Sequence, residues 1–326
     1  KKIDYLYSLY LVLKSKVIID SGTKFFNPLN LKLDKTVKIT TCHGNGPKTV
    51  VTKQETLNET MKELFDLNSF DYINFTSDFL IKKCGHMVYH IPNKKLINFG
   101  YPRCDQFFDS EYVQDRYIKK IITNELLSNR YNGSGKIILY TPTWRPYKYN
   151  FPLLELKDLN NLEQLDQYFL DNDIYFFFTI HSAFNVPDWL PSRKRIKLID
   201  SINQNPFYDT NSFMLEVDIL INDYSTTTTD FAILNRPQIF FMPDFDKYET
   251  EKGFLDNYRS IIPGKEVANY KELTSTIEMI LSNREKYQNE YNQLNKRYLI
   301  DYYDSKKGNS SALFTKLVHS IMNDQN

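Results

Sequence analysis

Five consecutive hydroxyl side chains, Ser225-Thr226-Thr227-Thr228-Thr229, follow an apolar run ending at Asn222 and Asp223. The run from Val217 to Asn222 reads as a buried strand, and a helix is expected from the hydroxyl cluster to Leu234. A helix start offers backbone N–H groups with no intrahelical acceptor and the positive end of the helix dipole. Hydroxyls at that place add donors, which makes a cradle for a pyrophosphate. The same residues also serve as an ordinary Ser/Thr cap. Asp230 lies one turn further on, where it reaches a ribose hydroxyl or stands as a solvated helix acid. His43 sits in a second loop, Cys42-His43-Gly44-Asn45-Gly46-Pro47, directly after the strand candidate Val37 to Thr41. A histidine there suits a general base, because its unperturbed pKa is near 6.5. The bland reading is a loop histidine bonded to backbone. Lys48, in the same loop, meets a phosphate or is simply exposed.

Two further polar groups stand at the ends of apolar strands. His181 emerges after Ile174 to Ile180, where it donates to a phosphate, balances leaving-group charge or caps the strand end. Arg145 follows Thr141-Pro142-Thr143-Trp144, and a guanidinium at such a place suits bidentate phosphate binding. Arg103 is read structurally, as a partner of Asp105. His86, His90 and His319 stand in no comparable setting and are read as surface or packing residues.

The elements that must position these loops alternate. Residues 5–14 read as a helix. Strands are expected at Lys16–Asp20, Val37–Thr41, Tyr72–Thr76 and Leu96–Phe99, with a short helix at Asp78–Lys83. A charged helical stretch from Asp109 to Arg130 leads to the turn cluster Tyr131-Asn132-Gly133-Ser134-Gly135, the best domain boundary. A second series follows: strands at Lys136–Tyr140, Ile174–Ile180, Ile196–Ile199, Val217–Asn222 and Gln238–Met242, with helices at Asn160–Asp171 and Asn211–Glu216. From Asn269 the chain is mostly helical. The fold class is therefore α/β, two Rossmann-like domains facing a cleft, with every polar loop on the carboxyl edge of a sheet. The domains are expected at 1–112, truncated at its start because the chain opens on Lys1 rather than Met, and at 113–305. Residues 306–326 form a terminal helix packing back towards the first domain.

Composition excludes several classes. At 326 residues the chain is long for one core and comfortable for two. Hydrophobic residues at 41% fit a globular protein, not a disordered one. A net charge of +1 speaks against a nucleic-acid partner, while a local basic patch against anionic lipid or polymer stays compatible with it. Cys42, Cys84 and Cys104 form no CxxC pair and have no histidines at ligand spacing. Neither a disulfide framework nor a metal site is expected, and a reducing cytoplasm fits. The apolar stretch Tyr5–Leu13 falls far short of the roughly 20 residues of a membrane span.

Taken together, the loops resemble the bacterial CDP-glycerol glycerophosphotransferases, the teichoic-acid primases and polymerases with their capsule relatives. The matching segments are Thr41-Cys42-His43-Gly44 with Pro47-Lys48, Thr76-Ser77-Asp78, Phe99-Gly100-Tyr101-Pro102-Arg103 with Asp105, and Leu139 to Arg145. Asp218 to Thr226, Asp230-Phe231, Arg236-Pro237 and Pro243-Asp244 complete the set. The resemblance implies a glycosyltransferase-B architecture. It also implies transfer of an alditol phosphate from CDP-glycerol, or another CDP-alditol, to a polymer or lipid-linked acceptor, with release of CMP and no cofactor. It makes His43 the base and His181 a catalytic partner. It assigns the donor to Thr143, Arg145, Asp223, Ser225, Thr226, Thr227 and Asp230, and the acceptor to Gly44, Asn45 and Lys48. The implied place of work is the cytoplasm, with peripheral contact at the inner face of the membrane. The family loop reads His-Gly-Thr-Pro where this chain has His43-Gly44-Asn45-Gly46-Pro47, and Ser182 replaces the proline after the second histidine. Ribitol or a sugar phosphate therefore stays open as the transferred unit. The rival readings are a glycosyltransferase or epimerase of the same fold acting on a nucleotide-sugar, and a non-catalytic binder that keeps the fold.

Overall fold

The computed structural model describes residues 7, 10–22, 35–42, 44, 46–48, 67–108, 135–143, 145, 159–179, 193–199, 210–304 and 308–324. His43, Asn45, His181 and the expected helix at 109–130 lie outside these. The chain divides into two compact units. The first comprises Lys1–Asp105, Glu251–Leu255 and Ile300–Asn326, and the second Gln106–Thr250 and Asp256–Leu299.

The first unit is built on a parallel sheet of β1 (Val17–Asp20), β2 (Val37–Thr40), β3 (Tyr72–Phe75) and β4 (Leu96–Asn98), in that spatial order. After β3, Ser77 caps a short helix α1 (Asp78–Leu80) by accepting the Leu80 N–H at 3.0 Å. The expected short helix then runs on as a π-helical stretch, Ile81–Val88, to Tyr89.

The second unit has six parallel strands: β5 (Lys136–Tyr140), β6 (Ile174–Phe178), β7 (Ile196–Leu198), β8 (Ile219–Asn222), β9 (Gln238–Phe241) and β10 (Lys265–Val267). Their spatial order is β10-β9-β8-β5-β6-β7. Parallel strands covered on both faces must be apolar throughout, and β6 and β8 are buried at every position. Helices α2 (Leu159–Asp171), α3 (Thr210–Met214), α4 (Thr227–Ile233) and α5 (Phe245–Glu251) intervene, and α6 (Tyr270–Ser282) follows β10. One core joins Ile138, Phe176, Ile221 and Ile239 to Leu162 and Phe169 of α2 and Ile277 of α6.

The mostly helical region expected from Asn269 consists of α6, a break at Asn283, α7 (Arg284–Tyr302) and α8 (Ser310–Asp324). The last carbonyls of α7 lack intrahelical partners. Thr76 Oγ1 donates to Tyr302 O at 2.7 Å and Ser77 Oγ to Asp301 O at 2.6 Å. Asp105, expected beside Arg103, caps α8 by accepting the N–H groups of Ser310 and Ser311 at 2.9 and 2.8 Å. Arg103 lies 3.9 Å over the Tyr101 ring. Phe314 and Ile321 of α8 bury against Ile39 of β2, with Val17, Val37 and Phe99 around them. Among the described residues no helix is long and apolar enough to cross a membrane.

Candidate functional site

In the second sheet the chain runs outward from β5 through β6 to β7, then returns to β5's other side with β8 and runs outward through β9 to β10. The reversal lies between β5 and β8. Loops leaving the carboxyl ends of strands at such a reversal part in opposite directions and open a crevice, the usual ligand site of open α/β sheets. The loop after β5 carries Thr141, Thr143 and Arg145, and the loop after β8 carries Asp223 and the hydroxyl row. Strand pairing brings them side by side, with Tyr140 opposite Ile221.

Polar bonds join the two loops at three levels. Thr141 Oγ1 and Thr227 Oγ1 share a hydrogen bond at 2.8 Å. The Thr143 N–H lies 3.0 Å from both oxygens of Asp223, and its hydroxyl donates to Asp223 Oδ1 at 2.6 Å. Arg145 Nη1 donates to Asp223 Oδ2 at 2.7 Å and to Thr143 O at 2.8 Å. The other side of the guanidinium grips Asp244, with Nε and Nη2 at 2.6 and 3.0 Å from its two oxygens. The Arg145 side chain is 1% exposed, Asp223 0% and Asp244 8%. Arg145, expected as a phosphate ligand, thus turns its fork to two carboxylates in the interior. Burial on its own would lower its pKa, but the Asp223 charge and the Asp244 hydrogen bond outweigh that and raise it, so the side chain stays charged.

Tyrosines close this ion cluster. Tyr224 donates its hydroxyl to Asp244 Oδ1 at 3.1 Å and stacks on Tyr248 with ring centroids 3.9 Å apart. Burial, then the charge of Asp244, pushes the Tyr224 pKa upward, so the phenol remains a donor. The Tyr258 hydroxyl donates to the backbone carbonyl of Asp223. Asn222 shapes the next turn: its Nδ2 donates to Ser225 O at 3.3 Å and to Thr228 Oγ1.

Above this framework Ser225, Thr226 and Thr227 are half-buried, while Thr228, Thr229 and Asp230 are buried. Thr226 occupies the cap position of α4 with helical dihedrals, and its side chain makes no capping bond. Ser225 Oγ accepts only a long contact, 3.4 Å, from the Thr227 N–H. Among the described residues these two hydroxyls keep their O–H groups for another acceptor. Asp230 accepts from Asn211 Nδ2 at 3.1 Å inside the unit, so it is not a solvated helix acid.

Around His43 the structure describes the flanks. The Thr41 N–H donates to Asp20 O at 2.8 Å and the Cys42 N–H to Thr40 Oγ1 at 3.0 Å. Cys42 has φ 52°, a left-handed conformation uncommon for a side chain of this type and often found beside functional groups. Burial pushes its thiol up to about 11, which removes it as a nucleophile near neutral pH. Gly44 and Lys48 are half-buried, and Gly46 and Pro47 are buried. Among the described residues no group of His, Cys, Asp and Glu is arranged to hold a metal ion.

Sequence reasoning found the loops but not Asp244, Tyr224, Tyr258 and Asn222 as their supports. Pro243-Asp244 carried a family signal without a role, and no spacing rule links Asp244 to Arg145, 99 positions away.

Comparison with known proteins places the chain in a family. Residues 2–320 match the family described as CDP-Glycerol:Poly(glycerophosphate) glycerophosphotransferase. The chain is 27% identical over 285 residues to the teichoic acid glycerol-phosphate primase of Bacillus subtilis (strain 168), covering 85% of this chain and 68% of that protein. It is 30% identical over 237 residues to a teichoic acid poly(glycerol phosphate) polymerase of Staphylococcus epidermidis, covering 71% of this chain and 30% of the polymerase. Against such polymerases the chain thus spans about a third of the length. Among solved structures, a variant of the wall teichoic acid polymerase TagF superposes with a TM-score of 0.76 at 24% identity, over 95% of this chain and 74% of that one. The UDP-GlcNAc 2-epimerase of Methanocaldococcus jannaschii superposes with a TM-score of 0.53 at 16% identity, over 97% of this chain and 80% of that one. These two likenesses concern the fold, which is of the glycosyltransferase-B type.

Proposed function

The chain belongs to the CDP-glycerol:poly(glycerophosphate) glycerophosphotransferase family, and from that premise we propose that it moves an alditol phosphate from a CDP-alditol to a hydroxyl of a growing cell-surface polymer. CDP-glycerol is the first donor to consider. One observation carries the reading: two half-buried hydroxyls, Ser225 and Thr226, whose O–H groups have no acceptor among the described residues, stand on a buried ionic framework at the switch point of a parallel sheet.

In the proposed reaction the acceptor hydroxyl gives its proton to His43 and its oxygen attacks the β-phosphorus of the donor. The bond from that phosphorus to the bridging oxygen breaks, and CMP leaves with the electron pair. Ser225, Thr226 and Thr227, with the amides at the start of α4, receive the donor phosphates. His181 offsets charge on the leaving group. Thr143, Arg145 and Asp223 hold the two loops at a fixed separation, a positioning role, because phosphoryl transfer depends on placement and charge more than on covalent help. Asp230 serves the donor side through the same helix. Gly44, Asn45 and Lys48 face the acceptor. We place this work in the cytoplasm, at the inner membrane face where a lipid-linked acceptor is available. Cys42, Cys84 and Cys104 are buried and form no disulfide with one another, which supports a reducing compartment.

The test is nucleotide release from CDP-glycerol, CDP-ribitol and UDP-N-acetylglucosamine in the presence of a short polyol-phosphate acceptor. CMP from a CDP-alditol is expected, and Thr226→Val should weaken donor binding about tenfold. UDP released from the sugar nucleotide, with CDP-alditols inert, would establish the glycosyltransferase reading instead.

A further inference from the structure

The stretch from Asp244 to Tyr258 begins and ends on the ion cluster. Asp244 holds Arg145 and Tyr224, and the Tyr258 hydroxyl holds the Asp223 carbonyl. Between these anchors the chain forms α5, and the five residues from its last one onward, Glu251–Leu255, belong to the first unit although their sequence neighbours belong to the second. Gly253 has φ 81°, a left-handed turn that a β-branched side chain resists. Beyond that turn the chain pairs with the loop after β2. The Leu255 N–H donates to Pro47 O at 2.7 Å, and Phe254 forms an antiparallel bridge with Lys48.

The partner loop needs such support. It contains Gly44 and Gly46, residues with little conformational preference of their own. Its upstream flank is tied to β1 and β2 by the Thr41 and Cys42 amides. Its downstream flank is tied by Leu255. In the sequence His43 lies between these two tied flanks. A general base works only within a few tenths of an ångström of its productive place.

We propose that Gly253-Phe254-Leu255 is a positioning element that braces the loop carrying His43. The proposal rests on the reading of His43 as the base. It assigns to the excursion after α5 a role in turnover and none in holding the donor.

The test compares Leu255→Pro, which deletes the N–H donor, Gly253→Val, which opposes the left-handed turn, and Gly253→Asn, which tolerates it. His43→Ala is measured alongside. Turnover is read as CMP release, and donor affinity by calorimetric titration with CDP-glycerol. A brace gives a 10- to 100-fold lower kcat in Leu255→Pro and Gly253→Val. Donor Kd then stays within about twofold of the parent, and Gly253→Asn recovers most of the turnover. Three results overturn it: unchanged kcat in both disruptive variants, donor Kd weakening in step with kcat, or Gly253→Asn as impaired as Gly253→Val. If His43→Ala abolishes turnover while the brace variants keep it, only the brace fails. If His43→Ala keeps full turnover, the base reading fails and the brace proposal with it.

Discussion

Replacing Arg145 by methionine separates a positioning guanidinium from a phosphate ligand. The side chain makes three contacts of 2.6–3.0 Å to the carboxylates of Asp223 and Asp244, and all three groups are within 8% of complete burial. Methionine fills similar space and leaves both carboxylates without their counter-charge. Breaking a buried pair in this way costs about 3–5 kcal/mol, a large part of the roughly 5–15 kcal/mol that holds a typical domain. Lysine keeps the charge but offers one ammonium where a fork reached Asp223, Asp244 and Thr143 O together. Losing one or two charged hydrogen bonds should cost about 1.5–3 kcal/mol. Trp144 and Trp189, the only two tryptophans, both fall in the second unit's sequence, so their fluorescence in a urea titration reports that unit. The expected order of stability is parent, Arg145→Lys, Arg145→Met. Full stability in Arg145→Met together with lost CDP-glycerol binding would refute the reasoning and make Arg145 a direct ligand.

Four other outcomes follow from local geometry. A methyl group on Gly264 would lie 2.1 Å from the carbonyl oxygen of Gln238. Gly264→Ala should therefore cost about 1–3 kcal/mol through the β9–β10 pairing, and a midpoint equal to the parent's would contradict this. At the start of α6, Asn269 accepts the Glu272 N–H at 3.0 Å while Glu272 accepts the Ala268 N–H at 2.8 Å. Asn269→Ala should cost about 1 kcal/mol. The Ala268 bond, then Asn269, lowers the Glu272 pKa. Its contribution is thus present above the carboxyl's unfolded pKa and is lost as pH falls through the depressed one, so Glu272→Gln should flatten the acid limb of the stability profile. Burial lifts the thiols of Cys42 and Cys84 to about 11 and about 12. At pH 8 about one part in a thousand of Cys42 is thiolate, so an aromatic disulfide reagent should label the folded protein slowly and the urea-unfolded protein at once. Rapid labelling of the native form would show these sites to be open.

The strands were legible because each is a short β-branched or aromatic run between polar punctuation. Val17–Asp20 and Lys136–Tyr140 are the clearest, and both hold within a residue. β10 escaped notice because Lys265-Glu266-Val267 carries a single apolar residue and owes its strand form to pairing with β9. The π-helical stretch Ile81–Val88 has no composition signature; a glycine and a lysine pair within it would sooner suggest a break. The loops at the switch point were legible from residue type alone. The division of labour within them was not. Arg145 and Asp223 have the chemistry of ligands for a charged donor, and only the approach of Asp244 and Tyr258 turns them inward. That approach depends on strand order, which no local pattern encodes.

The most direct check is a stoichiometric one, with radiolabelled CDP-glycerol and a short glycerol-phosphate acceptor. For each equivalent of CMP formed, one equivalent of label should enter the acceptor, and both should vanish together in His43→Ala. CMP formed without label in the acceptor, or label transferred undiminished by the histidine variant, would contradict the account.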